Sequence, residues 1–275
     1  MFSSLIAPDV SLRGGSRRPV WPLAALLLAM ALIAGCTQDP AVQKQKHLDR
    51  GLGFLKDSKY NEAMIEFRNA IQVDANFVDA HVGLARAYRR KGWVIDARNE
   101  YDKAVQARPK AEEIRAELGQ VQLELSLAAD AETNAREILK ENPRSPRGQT
   151  LLGHALVREN RLDEAVRAFQ TALDIDPWFA DAYVGRATIL LVQRKADEAE
   201  KEYAQALALD GGNLEAQLGR GRLFAQSRRY PEAEAELQKV LKADPDHRAA
   251  RLSLALVYSR QNRVDDAIKT LEASK

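Results

Sequence analysis

Seven alanines stand 34 residues apart without a slip: Ala63, Ala97, Ala131, Ala165, Ala199, Ala233 and Ala267. A fixed period of that length marks a stacked repeat array, and every other residue is read by its place in the period. With these alanines at position 20, units begin at Lys44, Val78, Glu112, Pro146, Ala180, Leu214 and Arg248. Position 8 is then always small (Gly51, Ala85, Gly119, Gly153, Ala187, Gly221, Ala255). Position 24 is mostly large (Phe67, Tyr101, Ala135, Phe169, Tyr203, Leu237, Leu271), and position 11 mostly aromatic or leucine. A recurring large residue matched by a recurring small one is the pattern of two helices packed closely in antiparallel fashion.

Within a unit the apolar spacing is helical, as in Tyr183, Ala187 and Leu190, then Ala199, Tyr203 and Ala206. Turn signals such as Arg90-Lys91-Gly92 and Glu159-Asn160-Arg161 separate the two helices. At position 32, Pro109, Pro143, Pro177 and Pro245 lack an N–H and close the second helix before the next unit begins. Such a pair cannot bury its apolar face alone, so neighbours must stack into one continuous core. The fold class that follows is all-α, a solenoid of about seven helix-turn-helix units. Three departures carry expectations of their own. The third unit, with Arg115, Gln122 and Ala135 at apolar positions, should have the loosest interfaces. Gly211-Gly212 in place of a proline predicts a modest hinge between units five and six. The last helix turns Lys269, Thr270, Glu272 and Ser274 outward around Ile268 and Leu271, and should cap the array.

These residues resemble the tetratricopeptide repeat family, whose signature is small-8, aromatic-11, Ala-20, aromatic-24, small-27 and Pro-32. The resemblance covers Lys44 to Lys275 in continuous register. It implies a right-handed superhelix that binds protein partners and carries no catalytic site or cofactor.

Residues 1–35 read as an export segment. Arg13, Arg17 and Arg18 form a positive start, and Val20 to Ile33 is an apolar run too short to span a bilayer comfortably. The run ends in Leu32-Ile33-Ala34-Gly35-Cys36, which is similar to a bacterial lipobox. That similarity implies cleavage before Cys36 and a lipid on its sulfur, with residues 36–43 as a short tether; an ordinary signal peptide or an uncleaved anchor is the alternative. Thr37 in place of an aspartate leans toward the outer membrane, facing the periplasm, in a diderm host. Three of the 41 basic and one of the 39 acidic residues lie in the export segment, leaving 38 of each, so bulk charge gives no argument for nucleic acid. A lone cysteine excludes an intramolecular disulfide.

No motif carries chemistry. The four histidines show no metal-ligand spacing, and the Gly-x-Gly sequences at Gly51 and Gly219 fall inside helices with no strand before them. What remains is the concave groove, which the resemblance places at positions 2, 5, 9, 12 and 13 of each first helix. Carried onto this chain, positions 9, 12 and 13 include Arg86, Arg89, Arg90, His154, Arg158, Arg222 and Arg260, opposed by one acid, Glu124. This implies a groove for an acidic or carboxylate-bearing extended segment. Cations at positions 12 and 13 equally complement the end of a helix dipole. The function implied is a non-catalytic, lipid-anchored scaffold assisting a secretion, pilus or exopolysaccharide export machine. Pilot lipoproteins of type IV pili and PEP-CTERM-associated repeat lipoproteins are similar in length and architecture. The alternative is an adaptor recruiting envelope enzymes such as peptidoglycan hydrolases or proteases.

Overall fold

The computed structural model describes residues 39–273; Cys36, the export segment before it and Ser274 lie outside that range. The described residues from 43 onward make one compact unit. Among the described residues there are fourteen helices and no strand. The first helices of the seven pairs are α1 (Pro40–Lys56), α3 (Val78–Arg90), α5 (Glu112–Glu124), α7 (Pro146–Arg158), α9 (Ala180–Val192), α11 (Leu214–Gln226) and α13 (Arg248–Arg260). Each is followed by its antiparallel partner: α2 (Tyr60–Val73), α4 (Val94–Ala107), α6 (Ala128–Glu141), α8 (Leu162–Ile175), α10 (Ala196–Leu209), α12 (Tyr230–Ala243) and α14 (Val264–Glu272). The architecture is an α-solenoid, and its period is the period of the alanines.

The alanines at position 20 have no accessible surface, except Ala267, which is 9% exposed in the last pair. They let the two helices of a pair touch, and the residue at position 24 then locks one pair to the next. The Phe67 ring lies against Gly51 of its own unit and Gly83 of the following one; Phe169 lies in the same way against Gly153 and Gly185. A Cβ at Gly153 would stand 2.7 Å from the Phe169 ring, closer than carbon atoms pack. The socket therefore needs a small residue at position 8 and another at position 6 of the next unit. In unit two the ring is Tyr101, and its hydroxyl donates to Glu117 at position 6 of unit three instead.

The third unit is not loose. Where position 24 shrinks to Ala135, position 6 of the next unit grows to Leu151, whose side chain fills the space above Gly119. Gln122 and Asn134 are buried as a hydrogen-bonded pair, with Asn134 Nδ2 donating to Gln122 Oε1 (2.8 Å) and Arg115 Nη1 donating to Asn134 Oδ1 (2.9 Å). Satisfied polar groups can occupy a core position at little net cost.

The glycine turn after unit five is closed as firmly as the proline turns. Asp210 Oδ1 accepts from the Gly212 N–H (2.9 Å), as Asp176 does from Trp178 (2.9 Å). Asn213 then caps α11 by accepting from the Ala216 N–H (2.9 Å), while its amide donates to Asp181 (2.8 Å). Nothing in that turn distinguishes it as a hinge. Between the helices of every pair, position 15 adopts a left-handed conformation: Ser58, Gly92, Ser126, Asn160, Arg194, Arg228 and Asn262, with φ between 59° and 76°. Only Gly92 is free of the strain that a Cβ brings there.

The last helix is not a polar cap either. Leu271 is 45% exposed, whereas the other position-24 residues are at most 3% exposed. Leu252 is 61% exposed, although position 5 is at most 8% exposed in the six earlier units. The stacking face of unit seven is open.

Candidate partner-binding cavity

The first helices of successive units present positions 2, 5, 9, 12 and 13 to the inside of the curve, where a cavity of about 500 Å³ forms. Its floor is apolar: Ala116, Leu123, Leu151, Val157, Phe179 and Val184. The guanidinium groups of Arg89, Arg147, Arg158 and Arg222 stand around it with Glu124, Asp181 and Glu215. Arg89 comes from unit two and Glu215 and Arg222 from unit six, so the array curls far enough for distant units to share one wall.

The cations of the sequence reading divide here. Arg86 does not enter the cavity. Its Nε donates to Glu117 (2.9 Å), its Nη2 reaches Glu113 (3.3 Å), and the Tyr101 hydroxyl shares Glu117. The hydrogen bond that Arg86 donates to Glu117 holds the Arg86 pKa above the usual range, against the effect of burial. Burial favours the neutral form of Glu117, but Arg86 and Tyr101 outweigh it and keep the carboxyl below the usual range. Arg86 is thus a structural cross-link between units two and three. Arg90 is likewise spent, on Asp244. Arg260 is exposed at the end of α13 and does not line the cavity.

Arg89, His154, Arg158 and Arg222 do line it. Arg89 Nε donates to Glu124 Oε1 (2.7 Å), so that pair is internally balanced. Arg158 and Arg222 have no carboxylate within 4.0 Å among the described residues, and Arg222 Nε donates only to Ser253 Oγ (3.1 Å). His154 packs edge-on against Phe169, with ring centroids 5.1 Å apart. A strip of its ring opens onto the cavity, but protein surrounds the rest, and burial lowers its pKa to about 4. It is neutral at physiological pH and offers a hydrogen bond without a charge.

Several lining residues escaped the sequence reading, Arg147 and Thr150 among the polar ones. Arg147, at position 2 where the other units carry acids or neutral groups, adds a third guanidinium with no carboxylate partner among the described residues. Thr150, at an otherwise apolar position 5, buries a hydroxyl oxygen with no hydrogen-bond partner. Position 2 also corrects the charge balance, because Asp181 and Glu215 face the cavity along with Glu124. The cavity is of mixed sign: among the described residues Arg147, Arg158 and Arg222 have no carboxylate within 4.0 Å, and Asp181 and Glu215 have no cation within that distance, although Asp181 accepts from the Asn213 amide (2.8 Å). No group of three or more His, Cys, Asp or Glu among the described residues is arranged to hold a metal ion. No helix there is long and apolar enough to cross a membrane. The other histidines are committed to the fold: His47 and His81 Nδ1 pair with Glu66 and Glu100 (2.5 Å each), and His247 Nδ1 accepts from the Ala250 N–H (3.2 Å).

A family model described as tetratricopeptide repeat matches residues 48–112, 116–178, 150–214, 184–246 and 218–275. No curated protein matches the chain. Among solved structures, a thermophilic TPR protein of Thermus thermophilus superposes with a TM-score of 0.57 at 23% identity, covering 66% of this chain and 99% of its own. The pilF protein of Pseudomonas aeruginosa gives 0.53 at 19% identity, over 82% and 99% of the two chains. Yeast Tom70 gives 0.61 at 20% identity, over 91% of this chain and 54% of that one. At such identities the likeness is one of fold.

Proposed function

Because this chain belongs to the tetratricopeptide repeat family, whose arrays serve as protein–protein interaction scaffolds, we propose that its concave cavity grips an acidic segment of a partner protein. The observation that carries this reading is the uncommitted polar lining. Arg147, Arg158 and Arg222 have no carboxylate partner among the described residues, and the Thr150 hydroxyl is buried without one of its own. A carboxylate from a partner supplies what these groups lack, and charge-assisted bonds from guanidinium forks are strong in a cavity with an apolar floor. The side chains of Leu123, Leu151 and Phe179 add area for the aliphatic part of such a segment.

The location proposed for this scaffold is the bacterial envelope, through a lipid on Cys36, on the outer membrane facing the periplasm. The apolar run ending in Ala34-Gly35-Cys36 supports it. An array held to a membrane by a tether of a few residues suits a part that positions a secretion, pilus or exopolysaccharide export component. Two experiments test the reading. Arg158→Glu combined with Arg222→Glu should weaken capture of an acidic partner peptide by about tenfold or more, with the thermal melt nearly unchanged. Undiminished capture would overturn the cavity assignment. Cys36→Ala should move the protein from the membrane to the soluble fraction; retention in the membrane would overturn the anchor.

A further inference from the structure

At the end of four units the position-31 side chain closes the turn into the next, whereas in unit two it is Arg108, which pairs with Asp79 (2.8 Å). Asp74, Asn142, Asp176 and Asp210 do so by accepting from the backbone N–H two residues on, at 2.9 to 3.2 Å. Asp244 holds the same place in unit six and does not do this. Its Oδ2 pairs with Arg90 of unit two, 154 residues away, and its Oδ1 is buried with no partner. The carboxylate has been turned from its local task to a contact across the array. Beside it, Gly92 lies close enough to the Arg248 side chain that a Cβ on Gly92 would meet Arg248 Nη1.

This seam differs in kind from the joints between consecutive units. Those bury an aromatic ring or a leucine side chain against small residues. The seam has no packed helix faces; it is lined by Arg90, Lys91, Asp246, Arg248 and Arg251, with the exposed Leu252 and Leu271 at its edge. Arg251 is occupied by Asp246 (3.7 Å) and by the Pro245 carbonyl, leaving Lys91 and Arg248 as like charges beside Arg90. One buried carboxylate engages Arg90 alone, with two further cations nearby, a polar contact that can release without tearing a hydrophobic core. Residues next to the seam build the cavity wall: Arg89 on one side, Glu215 and Arg222 on the other.

We infer that Arg90 and Asp244 form a clasp that closes units two to six around the cavity, and that a partner segment enters from the unclasped form. The clasp regulates the cavity described above and so rests on that reading. Breaking the pair opens the wall shared by units two and six while leaving every consecutive joint intact. If the open form is about a tenth of the population, its release raises apparent affinity about tenfold.

The test uses the full chain with Cys36→Ser and spin labels on cysteines at Lys91 and Asp246, read by pulsed electron resonance. The parent should show a short distance, Arg90→Glu a longer one, and the exchanged pair Arg90→Asp with Asp244→Arg the short one again. The same molecules without labels are mixed with a fluorescent Glu/Ala peptide, and Arg90→Glu should associate about tenfold faster than the parent or the exchanged pair. An unchanged distance in Arg90→Glu overturns the clasp. A longer distance with unchanged association overturns its role as a gate. Absence of peptide binding in all three, with the distances responding, overturns the cavity reading and the gate that depends on it, while the contact itself stands.

Discussion

Two histidines of this chain titrate in opposite senses, and the reason lies in what touches each ring. His81 is buried with Nδ1 on Glu100 (2.5 Å) and Nε2 on the Ala75 carbonyl (3.0 Å), so both nitrogens donate and the ring carries its proton. The Glu100 hydrogen bond raises its pKa above 6.5 in spite of burial. Its contribution to stability is therefore complete below about pH 6.5 and is lost as pH rises through the folded value. Burial works against the Glu100 carboxylate, but His81 and Lys103 outweigh it and depress its pKa, so that group's contribution is lost in acid. His154 has no such partner. Its pKa falls from 6.5 to about 4, so the unfolded chain binds the proton more readily and stability declines as pH drops through that interval. The penalty reaches at most about 3 kcal/mol. His154→Gln should flatten the acid side of a plot of melting temperature against pH, and His81→Gln the alkaline side. Equal curves for His154→Gln and the parent would contradict the burial argument.

At the scale of the element, one helix pair is joined to the next by a ring in a socket, and the socket spans two units. Gly185 belongs to unit five but accommodates Phe169 of unit four. Gly185→Ala should destabilise the protein by about 1–3 kcal/mol in a denaturant melt, because the interior has no room for a methyl group against the ring. Adding Phe169→Leu should recover part of the loss, since the smaller side chain vacates the space. A loss that Phe169→Leu deepens would mean the glycine serves the helix backbone and not the socket. Polar links reinforce the same joints from outside. Arg161, Arg229 and Arg263 at position 16 each reach the position-21 glutamate of the preceding unit, Glu132, Glu200 and Glu234, at 2.7 to 2.9 Å. Alanine spacing made the pairs legible in the sequence, whereas the position-6 half of the socket and the exchange of Ala135 for Leu151 were not. Both depend on which residues of neighbouring units meet, and a one-dimensional register carries that only when the exchange repeats.

For the whole molecule, the ends of the stack behave differently from its middle. Position 5 is covered by the following unit wherever one exists: Leu218 is 3% exposed in unit six, and Leu252 is 61% exposed in unit seven. Leu218→Ala should cost about 2–5 kcal/mol and Leu252→Ala less than about 0.5 kcal/mol, measured by chemical denaturation. Equal costs would mean that the terminal face is covered in solution. Distance along the chain is no guide to contact either, since units two and six meet through Arg90 and Asp244. The same curling sorts the predicted groove cations. Arg86 and Arg90 become structural, Arg158 and Arg222 stay available, and Arg260 is left outside.

The sequence by itself determined the number of helix pairs, their lengths and turns, and the face each pair buries. Those follow from local periodicity and from the small and large residues that recur with it. It also marked positions 9, 12 and 13 of the first helices as inward-facing, and of the residues there Arg89, His154, Arg158 and Arg222 line the cavity while Arg86, Arg90 and Arg260 do not. Tertiary structure alone decided which of those charges remain free. That outcome turns on curvature, which sums small rotations over seven units and brings together residues that no single repeat contains.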